Sequence, residues 1–323
     1  MSPRISVVMP AHQAEATVGA AIESVLWQSH RDLELVVVDD GSTDATAGIA
    51  EAHRDSRVRL IRQEHAGVSV ARNRGLAEAT GELFSLCDAD DILFERHLEA
   101  LLEVYDRAEA EIVTANSYWL LPGGISRSKV RYRGRFPAPH EQRRAILEQN
   151  FLSVLAVFPR RLVEDIGLFG TTRARAEDWD FWMRAIFAGY RVALQREPLS
   201  LYRWGETGLS SDFAAMDDDI ELMFDGIEER LDLTADEAAY VRRRLAGPGP
   251  RKLGRHGDEA LRAGRFREAS RLYREAAALC PSERPLVWKA RVLRAAPVVT
   301  GPLVRARQLR LERRLGLGPE RLR

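Results

Sequence analysis

The chain has 323 residues, 45% hydrophobic and 30% charged, with 48 basic and 48 acidic side chains and a formal net charge of zero. That length predicts one large domain with a smaller appendage, and the balanced charge leaves no electrostatic footprint for nucleic acid. The two cysteines, Cys87 and Cys280, lie far apart without metal-ligand spacing, so a disulfide scaffold is excluded and buried thiols in a reducing compartment are expected.

The first hundred residues alternate β-branched apolar runs with helix-like stretches, the signature of βαβ units. Ile5 to Met9 reads as a strand, Thr17 to Trp27 as a helix, Leu35 to Val38 as a strand, Asp44 to His53 as a helix and Val58 to Ile61 as a strand. Val68 to Ala79 then reads as a helix closed by Gly81, and Leu83 to Cys87 as a fourth strand. Continuous apolar runs such as "LVVV" predict a parallel sheet covered on both faces. From Glu111 to Tyr132 the pattern is mixed, a strand in "EIVTANSYWLL" followed by a turn at Gly123 and Gly124. "EDWDFWMRAIFAGYR" is an amphipathic helix with carboxylates in its first turn and Gly189 as its stop.

Strand-like runs vanish after about residue 215, so the expected division is an α/β domain over 1–215 and a helical region over 216–323. "GPGPRKLG" at 247–254 reads as a linker, and 257–281 resembles one tetratricopeptide unit. The tail from Arg291 carries nine arginines against two glutamates, interleaved with leucine and valine. It reads equally as a solvated helix or as a peripheral contact with an anionic membrane. No apolar stretch is long enough to cross a bilayer, and "MSPRISVVMPAH" lacks an extended h-region and a cleavage site. The expected location is the cytoplasm, with the basic tail placing the protein at the inner face of the cell membrane if it binds there.

Three carboxylates in "FSLCDADDILF", Asp88, Asp90 and Asp91, end an apolar run. In a strand, positions i and i+2 face one side, so Asp88 and Asp90 can aim at one point, where a hard divalent cation, Mg²⁺ or Mn²⁺, would relieve their repulsion. Asp91 is expected to cap a helix beginning near Leu93. In "VVVDDGSTD", Ser42 and Asp44 are also read as helix caps, whereas Asp40 sits at a strand tip, where open α/β sheets collect ligands.

The segments "ISVVMPAHQAEATVGAAIESVLWQS", "LELVVVDDGSTDAT", "GVSVARNRGLAEATGELFSLCDADD" and "EDWDFWMRAIFAGYR" together resemble, in order and spacing, the family 2 glycosyltransferases. The resemblance covers roughly residues 4–210. It implies a GT-A fold, a Rossmann-like and mainly parallel sheet flanked by helices, with a C-terminal helical extension. It also implies an inverting, metal-assisted transfer from a nucleotide-diphospho-sugar, with UDP the expected nucleotide, to a saccharide or lipid-linked acceptor. By position, Pro10, Ala11 and His12 would touch the base, Asp40 its edge, and Arg72 the base and phosphates. Asp88 would hold the ribose, Asp90 the divalent cation, and Asp178 would be the general base with Glu177 beside it. His12 and Gln13 stand where an aromatic residue and Asn are usual, which leaves the base less defined. Arg203 would neutralise phosphate or form a surface ion pair; Trp204 would stack on a sugar or pack in the core, and a Ser follows it.

A dinucleotide-binding oxidoreductase is excluded because "PAHQAEA" has no G-x-G-x-x-G. A nucleotidyltransferase would require a Gly-rich, Arg-bearing loop there, which is equally missing. The remaining alternative is a catalytically silent domain whose helical tail recruits partners. The presence of Asp40, Asp88, Asp90 and Asp178 together argues against it.

Overall fold

The computed structural model describes residues 3–314 except 122, 133, 174 and 205–211. Two compact units emerge: one of residues 1–143 with 151–206, the other of 144–150 with 207–323. The first contains β1 (Ile5–Ala11), α1 (Val18–Leu26), β2 (Leu33–Asp40), α2 (Thr46–Ala52), β3 (Val58–Gln63), α3 (Val68–Glu78), β4 (Leu83–Leu86) and β5 (Ile92–Leu93). It continues with α4 (His97–Arg107), β6 (Ile112–Leu121), β7 (Gly124–Val130), the start of α5 (Gln142–Glu148), β8 (Ala156–Pro159), α6 (Arg160–Ile166), α7 (Glu177–Phe187) and β9 (Val192–Arg203).

The strands form one sheet in the order β3-β2-β1-β4-β8-β6-β9-β5, with β7 on β6. β3, β2, β1 and β4 run parallel, and their rows Val7 to Met9 and Leu35 to Val38 are wholly buried. Such runs exist because helices cover both faces of a parallel sheet, so no face needs a polar residue. The rest of the sheet is mixed: β8 is antiparallel to β4 and β6, β5 is antiparallel to β9, and β9 runs parallel to β6. The turn expected at Gly123 and Gly124 joins β6 to β7 as an antiparallel hairpin.

Three local expectations are corrected. Gly81 does not close α3, whose C-cap is Ala79; a Cβ at Gly81 would meet Ser6 N at 2.7 Å, so glycine is there for close approach to β1. No helix begins near Leu93, because Ile92 and Leu93 pair with Leu201 and Ser200 and the helix starts at His97. "GPGPRKLG" is mostly helix: α11 (Pro250–Arg262) begins at Pro250, whose fixed φ and missing N–H suit a first helical position.

The second unit holds the remainder of α5 and, in order, α8 (Phe213–Phe224), α9 (Ile227–Arg230), α10 (Ala235–Leu245), α11, α12 (Phe266–Leu279), α13 (Arg284–Ala295) and α14 (Pro297–Arg314). α11 and α12 form a hairpin through Gly264, which has a positive φ of 76°. Its core gathers Leu253, Leu261, Leu272, Tyr273, Leu293 and Val304.

An aromatic cluster seats α7 on the sheet. Phe158 of β8 meets Phe84 of β4, Phe181 and Trp182 edge to face at 5.9, 5.8 and 5.5 Å, and Phe169 stacks on Phe181 at 4.1 Å. Each buried aromatic ring contributes roughly 1.5–3 kcal/mol through area alone, so the start of α7 is held firmly.

Candidate active site

The carboxyl ends of β1 and β2 are laced together by their loops. Pro10 and Ala11 are buried in β1, opposite Val38 and Asp39 of β2. Gln13, at the unusual φ of 50°, donates its backbone N–H to Ser42 Oγ (3.1 Å) and accepts Thr43 N–H at Oε1 (2.7 Å). Ser42 is therefore a loop tie and not a cap. Asp44 is not the cap of α2 either, since that position is Ala45; its carboxylate accepts Thr46 N–H at 3.0 Å and Glu15 N–H at 3.1 Å and so ties the same two loops.

Asp40 is 2% exposed, yet its carboxylate is fully engaged. Oδ1 accepts from Gln63 Nε2 (2.7 Å) and Ala66 N (2.9 Å), and Oδ2 accepts from Gly67 N (2.8 Å) with His65 Nδ1 at 2.9 Å. Burial works against its charge, but these donors outweigh it and hold the carboxyl below its usual range. Asp40 thereby shapes the β3–α3 loop, and Gly41 is required beside it, since a Cβ there would meet His65 N at 2.6 Å. His65, which sequence reasoning missed, stacks on His12 at 4.1 Å with 20° between the rings. Both rings are exposed at the strand ends, a flat surface of the kind a nucleobase covers. The signal for His65 was its place after a parallel strand, in the loop that enters α3.

Asp88 and Asp90 do not lie on a strand. β4 ends at Leu86, and a turn with Asp91 N–H donating to Asp88 O (3.1 Å) brings the carboxylates together. Burial first, and then the charge of Asp88, push Asp90 up to about 6. Asp91 is not a cap. It is 1% exposed, accepts Arg203 N–H at 2.8 Å on Oδ1, and is raised well above its ordinary value by burial and by Asp90 and Asp88. Arg203 also donates Nε–H to Asp90 O (2.8 Å), so this side chain fastens the end of β9 to the acidic turn.

Arg72 is 3% exposed and does not project into open space: Nη1 donates to Glu177 Oε1 (2.6 Å), Nη2 to Asp88 Oδ1 (2.8 Å), and the guanidinium lies 5.7 Å over the Phe169 ring. Burial disfavours its charge, but Asp88, Glu177 and Asp178 outweigh that and keep it cationic. Asn73 exchanges bonds with the Phe169 backbone (2.9 Å each), fixing the loop that leads to α7. The clamp commits Glu177 to Arg72. Asp178, at the second position of α7, accepts Trp179 N–H at 2.7 Å. Burial raises it, opposed by Arg72 and Arg131. Arg131, at the end of the β6–β7 hairpin, had no sequence signal; it donates to Leu152 O (2.6 Å) and lies 5.8 and 5.7 Å over the Tyr132 and Tyr202 rings. The expected Ser after Trp204 falls outside the described residues.

No group of three or more metal-binding side chains occurs among the described residues. Asp90 with the second oxygen of Asp88 still suits a hard divalent cation: it would relieve their mutual repulsion, and Mg²⁺ or Mn²⁺ ordinarily takes only one or two protein carboxylates beside phosphate and water.

Comparison with known proteins places the family and the fold. The profile of "Glycosyl transferase family 2" matches residues 6–167. "Succinoglycan biosynthesis protein ExoO" of Rhizobium meliloti is 30% identical over 218 residues, 64% of this chain and 63% of ExoO. The Escherichia coli "UDP-Glc:alpha-D-GlcNAc-diphosphoundecaprenol beta-1,3-glucosyltransferase WfgD" is 41% identical over 96 residues, 29% of this chain and 38% of WfgD. The chain thus spans less than two thirds of either relative's length. Among solved structures, Staphylococcus aureus TarS 1–349 with UDP-GlcNAc superposes with a TM-score of 0.62 at 20% identity, covering 90% of each chain. The mannosyltransferase PcManGT of Pyrobaculum calidifontis, with GDP-Man and Mn²⁺, gives 0.58 at 21% identity, covering 95% of this chain and 88% of its own. Those likenesses establish the GT-A fold, and the profile match across half of the sequence shows that the chain belongs to glycosyl transferase family 2.

Proposed function

We propose that the protein is an inverting glycosyltransferase that moves a sugar from a nucleotide-diphospho-sugar, a UDP-sugar, to a hydroxyl of a saccharide or lipid-linked acceptor. The observation that carries this reading is the Arg72 clamp, which joins the acidic turn after β4 to the first turn of α7. In this reading the clamp keeps Asp178, the neighbour of Glu177 in the first turn of α7, close to the charged leaving group. WfgD's UDP-glucose donor and lipid-diphosphate acceptor, and the nucleotide sugars held by TarS and PcManGT, support the substrate class.

In this reading the His12 and His65 rings carry the base, and Pro10, Ala11 and Asp40 shape its edge of the crevice. Asp88, held by Arg72, meets the ribose through its free oxygen, while Asp90 with Asp88 would bind Mg²⁺ or Mn²⁺. The cation, when bound, neutralises charge on the departing diphosphate. Asp178 takes the acceptor proton as the hydroxyl attacks the anomeric carbon opposite the leaving group, and Glu177 keeps Arg72 in place. Burial makes Asp178 a stronger base than a free carboxylate, and the charges of Arg72 and Arg131 oppose part of that rise.

The helical unit, with α11 and α12 read as a tetratricopeptide-like hairpin and the basic helices after it as a peripheral membrane contact, would bring the enzyme to its acceptor. No helix among the described residues is long and apolar enough to cross a membrane. Thermal unfolding with UDP, in Mn²⁺ and in EDTA, tests the donor and metal assignments. UDP should raise the melting temperature, and Mn²⁺ should enlarge the rise. Equal UDP affinity in both conditions would remove the metal from the account, and no donor hydrolysis by the purified chain would favour the silent scaffold.

A further inference from the structure

α13 and α14 bury one side each and leave the other without a protein partner among the described residues. Inward, Leu286, Ala290, Leu293 and Val304 join the core of the helical unit. On α14, Val304, Gln308 and Glu312 follow one buried stripe, and helical spacing puts Val299, Leu303, Arg307 and Arg310 on the opposite side. Val299 and Leu303 are each 73% exposed, and Leu311 on the flank is 57% exposed. Trp288 of α13 joins the same face, its ring stacked 4.2 Å from the Arg307 guanidinium.

The charge on this face has one sign. Arg284, Arg291, Arg294, Arg307 and Arg310 are exposed on these sides of the two helices, and Arg305 is exposed on the far flank of α14. The one carboxylate within them, Glu312, is 8% exposed and accepts from Arg262 (3.1 Å) and Gln308 (3.0 Å). A nucleic acid would match the arginines but has no use for exposed valine and leucine. Interleaved arginine and aliphatic side chains with a tryptophan at the edge are what a helix lying in a headgroup layer presents.

We propose that this outer face of α13 and α14 docks on an anionic lipid bilayer, with Val299, Leu303 and Leu311 in the acyl boundary and the arginines on lipid phosphates. The inference gives a definite surface to the membrane contact in the functional reading, but it stands on the helical unit alone and is tested without donor or acceptor. The test is co-sedimentation of the full chain with vesicles of phosphatidylglycerol and phosphatidylcholine, against vesicles of phosphatidylcholine alone. Binding is expected on the anionic vesicles at low salt and is expected to fade at high salt. Because the residues are exposed, Leu303→Glu and the pair Arg307→Glu with Arg310→Glu should keep the far-UV circular dichroism and the melting temperature of the wild type. Each variant should lose vesicle affinity by about tenfold or more. Failure to sediment at low salt, equal binding to neutral vesicles, or wild-type binding by both variants would overturn the proposal. So would a concentration-dependent dimer in sedimentation velocity that Leu303→Glu abolishes, if vesicles are not bound, because the face would then belong to a second copy.

Discussion

The ends of β2 and β4 lie on either side of β1, and each carries aspartates at the same carboxyl end of the parallel strands, yet their carboxylates live in opposite conditions. Asp40 receives hydrogen bonds from Gln63, Ala66 and Gly67 together with the His65 ring, and its pKa falls. Asp90 and Asp91 face one another and Asp88, and theirs rise. Both regions are buried, so burial alone does not decide the outcome; the supply of donors does. At β2 the chain satisfies its own charge and obtains a shaped loop. At β4 it leaves charge unsatisfied, and such a place requires something from outside the chain.

The largest expected effect sharpens this contrast at Asp178, a third raised carboxyl. Asp178→Asn can still accept the Trp179 N–H bond, so the melting temperature and UDP affinity should stay close to wild type. An amide cannot take up a proton, so sugar transfer, or donor hydrolysis with water as acceptor, should fall by about 100- to 10,000-fold. The wild-type rate should decline on acidification through a pKa above that of a free aspartate, because only the ionised form is a base. A stable Asp178→Asn protein with near-normal transfer would remove Asp178 from the mechanism.

The two regions also differed in how far the sequence disclosed them. The parallel half was legible because each strand is a continuous apolar run followed by a helix, a pattern set by local sequence. β9 was not: its pairing with β6 shifts register twice, and Pro198 interrupts its alternation. Asp91 was read as a cap because apolar residues follow it, but those residues form a two-residue strand whose partner, β9, comes much later in the chain. Asp40, Asp88 and Asp178 were identifiable as residues, but their partners were not. Whether a carboxylate is relieved by a backbone N–H or strained by a neighbouring carboxylate depends on turns, and Arg131 comes to Asp178 from a hairpin distant in sequence. Gln13 shows the same limit, since its departure from the family pattern acquires meaning only with its bonds to Ser42 and Thr43.

Asp40→Ala tests the satisfied side. It strands the Ala66 and Gly67 N–H groups, while Gln63 and His65 can turn to water. Ala66 is exposed and Gly67 half-buried, so water replaces part of each lost bond, and a loss of about 1–3 kcal/mol in all is expected in denaturant unfolding. The pH dependence adds a signature. A carboxyl whose folded pKa lies below its unfolded value contributes stability above the unfolded value, and loses it as pH falls through the folded one. The wild type should therefore lose stability below about pH 4 more steeply than Asp40→Ala. Parallel acid slopes, with no loss of stability near neutrality, would mean that the loop does not depend on this carboxylate.

The smallest effect is expected on the unsatisfied side, and its sign is opposite. Asp90 is pushed up to about 6, so near neutrality its ionised form is held against the preference of its surroundings, and the folded state is weakened. Asp90→Asn keeps the backbone carbonyl that accepts from Arg203 and removes the charge. In EDTA at neutral pH the variant should be more stable than the wild type. The gain should be on the order of 1 kcal/mol, reduced from the full shift because the group is partly open to solvent. Mn²⁺ relieves the same repulsion in the wild type, so the metal-induced rise in melting temperature should disappear in the variant. Unfolding curves of both proteins with and without Mn²⁺ give all four values. If Asp90→Asn proves less stable than the wild type in EDTA and still responds to Mn²⁺, the acidic turn satisfies itself as Asp40 does, and the contrast between the two strand ends fails.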